Sequence, residues 1–522
     1  MSCASWRSAR HLVGVLALLS GCASEKIVYR DREPFNPPLD AAAGFLGYFT
    51  ASTKTTACGN CHVGHQRDWK VTAHAGAYKT LSDLPATVAV AACYTCHTVG
   101  PNGNKTTGAV GYLAVKDSAY FDVQCEACHG PGYTHVQNPE VSANWPLSRA
   151  GVEPAKESCL SCHSGAHHPF AEEWSQSRHA EIVTSAASHP VADGCPTCHN
   201  GKEALKAWGV TSNYVERDVA GPMATTCTVC HNPHGSDNTK MLRYPIDTPD
   251  PEQNLCMKCH MRRFEPPLAS SRLAPHAPQG AVVLGTAGYR PPGFIYDEAA
   301  VLTSHASSAN PRLCAGCHVI RFTVTDPTSN NFVFQATGHV FRPIPCLDPA
   351  GKPLADNNCA YTESARSWRS CTASGCHASA AIAVQRVQGI RAEIALLADQ
   401  IWTDDNHNEN IDPAPTDGGY LATLKATRPA EWTVDNVITA AEGAEFNMKT
   451  VAERYSNGDK SLGVHNPFLA RALLAANINE LKAVYNLAPP PAAVQALADK
   501  SIEQVRSRQP GIFRPVRTSG TR

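Results

Sequence analysis

Cysteine pairs followed directly by histidine recur along this chain, and their spacing is suited to holding a cofactor. Eight segments read C-x-x-C-H, and we number them motifs 1 to 8 in chain order. Two thiols at this spacing can form thioether bonds to the two vinyl groups of one haem, and the adjoining histidine then binds the iron as the proximal ligand. Each motif therefore predicts one covalently held haem c. The motif residues are Cys58, Cys61 and His62; Cys93, Cys96 and His97; Cys125, Cys128 and His129; Cys159, Cys162 and His163; Cys195, Cys198 and His199; Cys227, Cys230 and His231; Cys256, Cys259 and His260; and Cys314, Cys317 and His318.

Two other uses of paired cysteines, zinc binding and disulfide formation, leave the histidines unexplained. A zinc site needs two cysteine pairs to reach four ligands, and it gives no reason for a histidine directly after the second cysteine. Histidine makes up 23 of the 522 residues. Chance would fill that position roughly 4% of the time in one motif, yet all eight are filled. Haem attachment is the interpretation that accounts for the whole pattern.

A ninth haem is predicted at a longer motif, in which four residues separate Cys371 from Cys376 and His377 follows. We number it motif 9. The alternative joins its two cysteines to Cys346 and Cys359 as two disulfides. The total of 22 cysteines favours haem, because motifs 1 to 9 use eighteen and two more precede residue 23. The remaining two, Cys346 and Cys359, are then predicted to form a disulfide with each other.

The sixth position of each iron decides between electron transfer and catalysis. Fourteen histidines lie outside the nine motifs, which exceeds the nine that full coordination needs. At His74 and His179 a tryptophan stands five residues before His-Ala, as expected if an aromatic ring packs on a porphyrin beside its ligand. His135 and His234 lie close to their own motifs, so we expect each to bind the iron of a neighbouring haem. The candidate distal ligands are His74, His135, His168, His179, His234, His276, His305, His339 and His465.

Each candidate distal ligand has a simpler alternative, a histidine that is merely exposed or hydrogen-bonded. His168 is preferred to its neighbour His167 in this set. His65, His189 and His407 are reserves.

The N-terminus has the pattern of an export signal. Arg7 and Arg10 precede an apolar run at 12–19 that is too short to span a bilayer. The sequence LSGC at 19–22 resembles a bacterial lipobox, so residues 1–21 are predicted to be a lipoprotein signal peptide and Cys22 to carry the lipid. The alternative is an ordinary signal peptide with an incidental cysteine. Ala and Ser at 23–24 imply sorting to the outer membrane, facing the periplasm or the cell surface.

Composition and motif spacing divide the exported chain into four parts. Residues 22–56 are polar and contain proline, as expected of a tether. Seven closely spaced motifs occupy 57–265, and motifs 8 and 9 occupy 266–378 together with a predicted hairpin of strands 319–324 and 332–335. Residues 379–522 contain no motif. They are predicted to form helices over 380–402, 440–455, 467–485 and 491–506.

The expected fold is mainly α with little β. Glycine, proline, asparagine and threonine are frequent between the motifs, so regular elements there should be short, and the haems should organise this body. A helical C-terminal region without haem should follow. The formal net charge of -1 supplies no basic surface for nucleic acid.

Four further segments resemble the large multihaem cytochromes c of respiratory and metal-reducing bacteria, many of which are outer-membrane lipoproteins. They are VQCEACHGPG at 123–132, PHAPQG at 275–280, GHVF at 338–341 and GVHNP at 463–467. The resemblance implies histidine on both sides of most irons, low reduction potentials and haems arranged as a wire. The same superfamily includes ammonia-forming nitrite reductase and hydroxylamine oxidoreductase.

The predicted function is electron transfer between periplasmic donors and a respiratory or extracellular acceptor. Partners would be other redox proteins, including further multihaem cytochromes or an outer-membrane porin, and the lipid would bind the membrane. The alternative is a redox enzyme of the nitrite or hydroxylamine type, which needs an iron with an open position. The C-x-x-C-K attachment typical of nitrite reductases is absent from the sequence, and no catalytic residue is predicted.

Overall fold

The computed structural model describes residues 35–508, except for 86–90, 105, 147–158, 211–220, 269–273, 293, 295, 355, 374–375 and 453–456. The predicted signal peptide, the lipid site at Cys22 and the first part of the tether lie outside the described residues. Within the described ranges, no helix combines the length and the apolarity needed to cross a membrane.

The motif-bearing body is built from short helices, as its glycine and proline content predicts. Six of these helices lie within motifs, so that the cysteines and the histidine share one or two helical turns. The short helices are α1 (Val63–Trp69), α2 (Ala77–Ser82), α3 (Tyr94–His97), α4 (Tyr112–Val115), α5 (Cys125–His129), α6 (Tyr133–Gln137), α7 (Phe170–Ser175), α8 (Thr184–Ala187), α9 (Pro196–His199), α10 (Gly201–Ala207), α11 (Cys227–Cys230), α12 (Met257–His260), α13 (Gln279–Leu284), α14 (Glu298–Val301), α15 (Cys314–His318) and α16 (Arg369–Thr372).

Strands are few among the described residues, and they form two small antiparallel sheets. β1 (Tyr48–Thr50) pairs with β2 (Thr55–Thr56), and β3 (Phe322–Thr325) pairs with β4 (Phe332–Ala336). The second sheet is a hairpin at the place that the alternation of apolar residues predicts. Its turn is stabilised by Asp326, whose carboxylate accepts hydrogen bonds from the backbone N–H groups of Thr328 and Ser329. The fold is therefore mainly helical with small sheets.

The C-terminal region contains the long helices. They are α17 (Ala380–Ile401), α18 (Gly419–Thr427), α19 (Ala440–Val451), α20 (Pro467–Tyr485) and α21 (Ala492–Arg506). Ser379 caps α17, and Thr439 and Glu442 form a capping box on α19. The sequence did not predict α18, which is short and begins at a glycine.

The C-terminal helices share one apolar core with part of the motif-bearing body. Trp402, Leu473 and Ile394 are fully buried in this core, and α13 and α14 pack into the same cluster. The side-chain amide of Asn447 donates to the carbonyl of Tyr289 and accepts its backbone N–H. The predicted helical region begins after residue 378. The apolar core nevertheless contains residues from both sides of that position.

The segment before motif 1 is packed into the body from residue 40 onward. Phe45 is fully buried against Tyr112 and Tyr120. The buried Glu126 carboxylate accepts hydrogen bonds from the backbone N–H groups at 46 and 47. Residues 40–56 thus pack against the motif-bearing body, and the buried Phe45 and Tyr48 anchor them there.

Candidate haem sites

One continuous cavity of 5280 Å³ runs through the body and is lined by the cysteines and histidine of all nine motifs. This volume is about 590 Å³ for each of nine motifs, within the roughly 300–1,000 Å³ typical of sites for small molecules and cofactors. All nine candidate distal histidines line the same cavity, whereas His189 and His407 do not. The residues present therefore fit a row of large, apolar cofactors.

None of the eighteen motif cysteines forms a disulfide in the described structure. Cys346 and Cys359 are joined to each other, with their Cα atoms 6.0 Å apart. They are the pair that the cysteine count left over. The alternative, in which they bond to Cys371 and Cys376, is not what the structure contains. Both cysteines of motif 9 are thus left available for thioether bonds.

Histidine rings face each other in pairs at the spacing of two ligands on one iron. An iron lies about 2 Å from each ligating nitrogen, which places two opposed imidazole centroids roughly 6 Å apart. Eight motif histidines have a candidate distal histidine at 6.0–6.5 Å between ring centroids. The pairs are His62 with His135, His129 with His234, His163 with His74, His199 with His276, His231 with His339, His260 with His179, His318 with His465, and His377 with His305.

The remaining motif histidine, His97, has His168 as an electrostatic neighbour. His168 also lies 6.5 Å from His163, but His74 is closer to His163 at 6.1 Å. This leaves His168 for motif 2. Eight of the nine candidates thus face a different motif histidine each, and His168 is assigned to motif 2 by elimination.

The four other described histidines have other partners or positions, although His65 and His167 also line the cavity. His65 stacks on His234 with ring centroids 4.2 Å apart, too close for an iron to lie between them. His167 stacks on Phe332 at 4.3 Å. His189 is an exposed partner of Asp193, at 2.9 Å. His407 is also exposed.

Backbone carbonyls orient several of the paired rings. In four of these rings Nδ1 lies 2.9 Å from a backbone carbonyl oxygen. The histidines and the residues that supply the carbonyl are His97 and Ala77, His231 and Lys240, His318 and Phe341, and His305 and Val464. A carbonyl can only accept, so the neutral form of each of these rings carries its proton on Nδ1 and has its lone pair on Nε2. That tautomer is the one that binds a metal through Nε2.

Burial keeps most paired rings neutral. It lowers the pKa of His163, His179, His318 and His339 to about 4. His465 differs, because Asp459 Oδ1 lies 2.5 Å from its Nδ1. Burial alone would lower the pKa of His465, but the charge and hydrogen bond of Asp459 raise it above the ordinary value. Sequence reasoning missed Asp459, which no motif marks.

Trp69 and Trp174, which precede His74 and His179 by five residues, have equivalent anchors. Each indole N–H donates to a backbone carbonyl at 2.9 Å, that of Val123 for Trp69 and that of Thr225 for Trp174. Both carbonyls lie two residues before the first cysteine of a motif. Trp69 therefore ties the segment that leads to His74 to the segment that leads into motif 3. Trp174 does the same for His179 and motif 6.

Glu173 is a second residue that sequence reasoning missed. Its side chain is buried and accepts hydrogen bonds from the backbone N–H groups of Thr337, at 2.8 Å, and His339, at 2.7 Å. The Thr337 hydroxyl donates to the same carboxylate at 2.6 Å. Glu173 thus holds the turn that carries His339 opposite His231.

Comparisons with known proteins match the motif-bearing body. A family described as "Doubled CXXCH motif" matches residues 221–264, and one described as "Cytochrome c554 and c-prime" matches residues 57–130. The chain is a multihaem c-type cytochrome. A similar protein is "Multiheme cytochrome MtrA" of Shewanella baltica (strain OS185), which is 26% identical to this cytochrome over 227 residues. The match covers 40% of this cytochrome and 60% of the relative. No solved structure matches it.

Proposed function

We propose that this cytochrome transfers electrons through nine haems c, each held by one motif and bound by two histidines. Motif residues supply two thioethers and the proximal ligand of each haem. The distal ligands, for motifs 1 to 9 in order, are His135, His168, His234, His74, His276, His339, His179, His465 and His305.

The one-to-one pairing of histidines carries this proposal. Eight motif histidines face eight different partners at centroid separations of 6.0–6.5 Å, and His168 is left as the partner of His97. The partners come from segments far from their motifs in sequence, such as His465 for motif 8. Local chain geometry would not produce such a regular spacing by itself.

A bound haem supplies one-electron chemistry between ferric and ferrous iron. The protein's own residues determine where and how easily this happens. Thiols fix each porphyrin to a short helix, paired imidazoles occupy both axial positions, and carbonyl acceptors hold the rings in place. With both positions filled, substrate has no site on the metal, and this favours a relay over an enzyme.

The cellular setting is a further part of the proposal. The N-terminal pattern supports export, lipid attachment at Cys22 and a location at the outer membrane. Electrons would pass between periplasmic donors and a respiratory or extracellular acceptor. Partners would be other redox proteins, such as further multihaem cytochromes, or an outer-membrane porin.

A reductive titration of the purified holoprotein tests electron transfer. We expect each chain to take up nine electrons, one for each motif, and to return them to ferricyanide with unchanged spectra. Nitrite and hydroxylamine should not be turned over. Rapid turnover of either compound would contradict the proposal and favour the enzyme.

A further inference from the structure

Two helices of the body, α1 and α7, make the same set of contacts. The first follows motif 1, the second follows motif 4, and each contains one of the anchored tryptophans, Trp69 in α1 and Trp174 in α7. Five residues after the tryptophan lies a distal histidine, His74 for motif 4 and His179 for motif 7. The equivalence continues before the tryptophan, where the two sequences differ.

Four residues before the tryptophan, each helix has an aromatic ring that contacts a second distal histidine. In α1 this ring is His65, which stacks on His234 with ring centroids 4.2 Å apart. In α7 it is Phe170, which makes a T-shaped contact with His339 at 4.9 Å. His234 and His339 are the partners of the histidines in motifs 3 and 6. Such ring contacts have preferred geometries, so they restrict rotation of the imidazole.

The residue directly before the tryptophan contacts the segment that carries the same distal histidine. In α7 the Glu173 carboxylate accepts hydrogen bonds from the backbone N–H groups of Thr337 and His339. In α1 the Asp68 carbonyl lies so close to Gly235, the residue after the distal histidine, that a Cβ atom there would be 2.5 Å from its oxygen. Gly235 also has a φ of +118°, which favours glycine. Both helices thus contact the ring and the backbone segment of a distal histidine.

The tryptophan joins each helix to the motif whose distal histidine the helix contacts. The indole hydrogen bond to Val123 connects α1 to the segment that leads into motif 3, and the one to Thr225 connects α7 to the segment that leads into motif 6. Motif 3 faces His234, and motif 6 faces His339. Each helix therefore contacts both sides of one haem site.

The two histidine pairs held in this way differ from the others in the angle between their ring planes. The planes of His129 and His234 are 9° apart, and those of His231 and His339 are 24° apart. In the six other pairs at 6.0–6.5 Å the angle is 31–66°. The two held pairs are therefore the most nearly parallel of the eight.

Ring orientation matters because an imidazole on iron can rotate about the bond between iron and Nε2. The angle between the two axial rings affects how the iron d orbitals split, and this splitting determines the g values of a low-spin ferric haem. Groups that surround a metal ligand fix its orientation and tune the metal. A helix that fixes the angle thus changes a property of the haem without touching the iron.

We propose that α1 and α7 are clamp helices, which hold the distal imidazoles of motifs 3 and 6 nearly parallel to the proximal ones. His65 and Phe170 are the positioning residues of the two clamps, and neither ring binds iron. The proposal rests on the proposed function, since it takes His234 and His339 as iron ligands. It gives His65, a reserve ligand by sequence, the packing role that a phenylalanine has in α7.

Substitutions at His65 in the holoprotein test the clamp of α1 by electron paramagnetic resonance of the oxidised protein. We expect His65→Ala to keep nine haems and to shift one ninth of the low-spin intensity to new g values. His65→Phe introduces the ring type that α7 uses, so it should restore the wild-type signal. An unchanged spectrum in His65→Ala, or an equal change in His65→Phe, would overturn the proposal.

Lys70→Ala is the matched control for α1. Lys70 directly follows Trp69, is exposed and does not line the cavity, so its removal should leave every haem signal in place. Gly235→Ala is a second test of the same clamp, because the added Cβ would collide with the Asp68 carbonyl. It should alter the same signal as His65→Ala, and a change in another haem, or in none, would overturn the proposal.

The clamp of α7 should act on a different haem. Phe170→Ala should shift one ninth of the low-spin intensity, and the double variant with His65→Ala should shift two ninths. A double variant that shifts only one ninth would overturn the assignment of the two clamps to motifs 3 and 6.

Substitution of His234 separates the clamp from the proposed function. His234→Ala removes an iron ligand and should convert one haem from low-spin to high-spin. Absence of this conversion would contradict the ligand assignment, and with it the proposed function. Conversion in His234→Ala together with an unchanged spectrum in His65→Ala would leave the proposed function in place and overturn the clamp alone.

Discussion

Asp459 Oδ1 lies 2.5 Å from Nδ1 of His465, and the aspartate side chain is only 1% exposed. The other paired rings whose Nδ1 partners are described above face a neutral oxygen, such as the carbonyl of Phe341 at His318. A carboxylate that accepts the Nδ1 proton makes an imidazole a stronger electron donor at Nε2. With His465 as the proposed distal ligand of motif 8, Asp459 would favour ferric iron in the haem of that motif.

Substitution of Asp459 by asparagine should raise the reduction potential of one haem. We expect at least about a tenfold change in the equilibrium constant for reduction, which is ~59 mV for a one-electron couple. A spectroelectrochemical titration measures the shift in reduction potential. One ninth of the total change in haem absorbance should be shifted. Asp405→Asn is the matched control, because Asp405 is exposed and does not line the cavity. An unchanged titration in Asp459→Asn would contradict the account.

Substitution of Glu173 by glutamine should loosen His339. The Glu173 carboxylate accepts three hydrogen bonds from Thr337 and His339, and the single, uncharged oxygen of a glutamine amide can replace only part of them. Hydrogen bonds to charged groups contribute roughly 1.5–3 kcal/mol each. We expect a lower unfolding temperature and a high-spin ferric signal from one haem. Electron paramagnetic resonance measures the spin state. Glu181→Gln, at a side chain that is 58% exposed, should change neither quantity.

Removal of the disulfide should destabilise the loop beside motif 9. The bond joins residues 13 apart, and closing a loop of about 15 residues contributes about 3 kcal/mol in the chain-entropy estimate. The buried Arg366 guanidinium, which donates to the Asn357 and Cys359 carbonyls, should preserve part of the loop. Hydrogen exchange of residues 343–371 in C346S/C359S measures the effect.

The matched control for the disulfide is the reducing agent itself. Dithiothreitol should increase hydrogen exchange of this loop in the wild type and leave C346S/C359S unchanged. Equal protection in the variant and the oxidised wild type would show that the bond contributes nothing to the loop.

Protein made without haem attachment should lack a folded body. The cavity of 5280 Å³ separates segments that have only small apolar clusters of their own. Limited proteolysis of the apoprotein should therefore cleave throughout residues 57–277, which precede the part of the body that packs into the C-terminal core. The holoprotein should resist under the same conditions. Resistance of the apoprotein over these residues would contradict the view that the haems organise the body.

Local patterns in the sequence predicted the local features well. Motif positions follow from cysteines and histidines that lie within seven consecutive residues, and α17 and α20 follow from apolar periodicity and from caps such as Ser379. The leftover cysteines Cys346 and Cys359 could be paired by counting. The packing of Phe45 was missed, because a single aromatic residue in a polar segment carries no periodic signal.

Contacts between distant segments were beyond the reach of sequence reasoning. The histidines that could serve as distal ligands were named from the sequence, but their partners were not, because His465 meets His318 across 147 residues. Glu173 reaches His339 across 166 residues. Such pairings depend on how the short helices stack around the cavity, and no local pattern records that arrangement.

The spin state of the haems in the purified holoprotein tests the central claim most directly. Quantitative electron paramagnetic resonance of the oxidised protein, calibrated against the haem count from intact mass, measures the fraction of irons with two strong axial ligands. The account predicts nine haems per chain, all low-spin. Fewer than nine haems, or a high-spin signal equal to one or more of them, would contradict it.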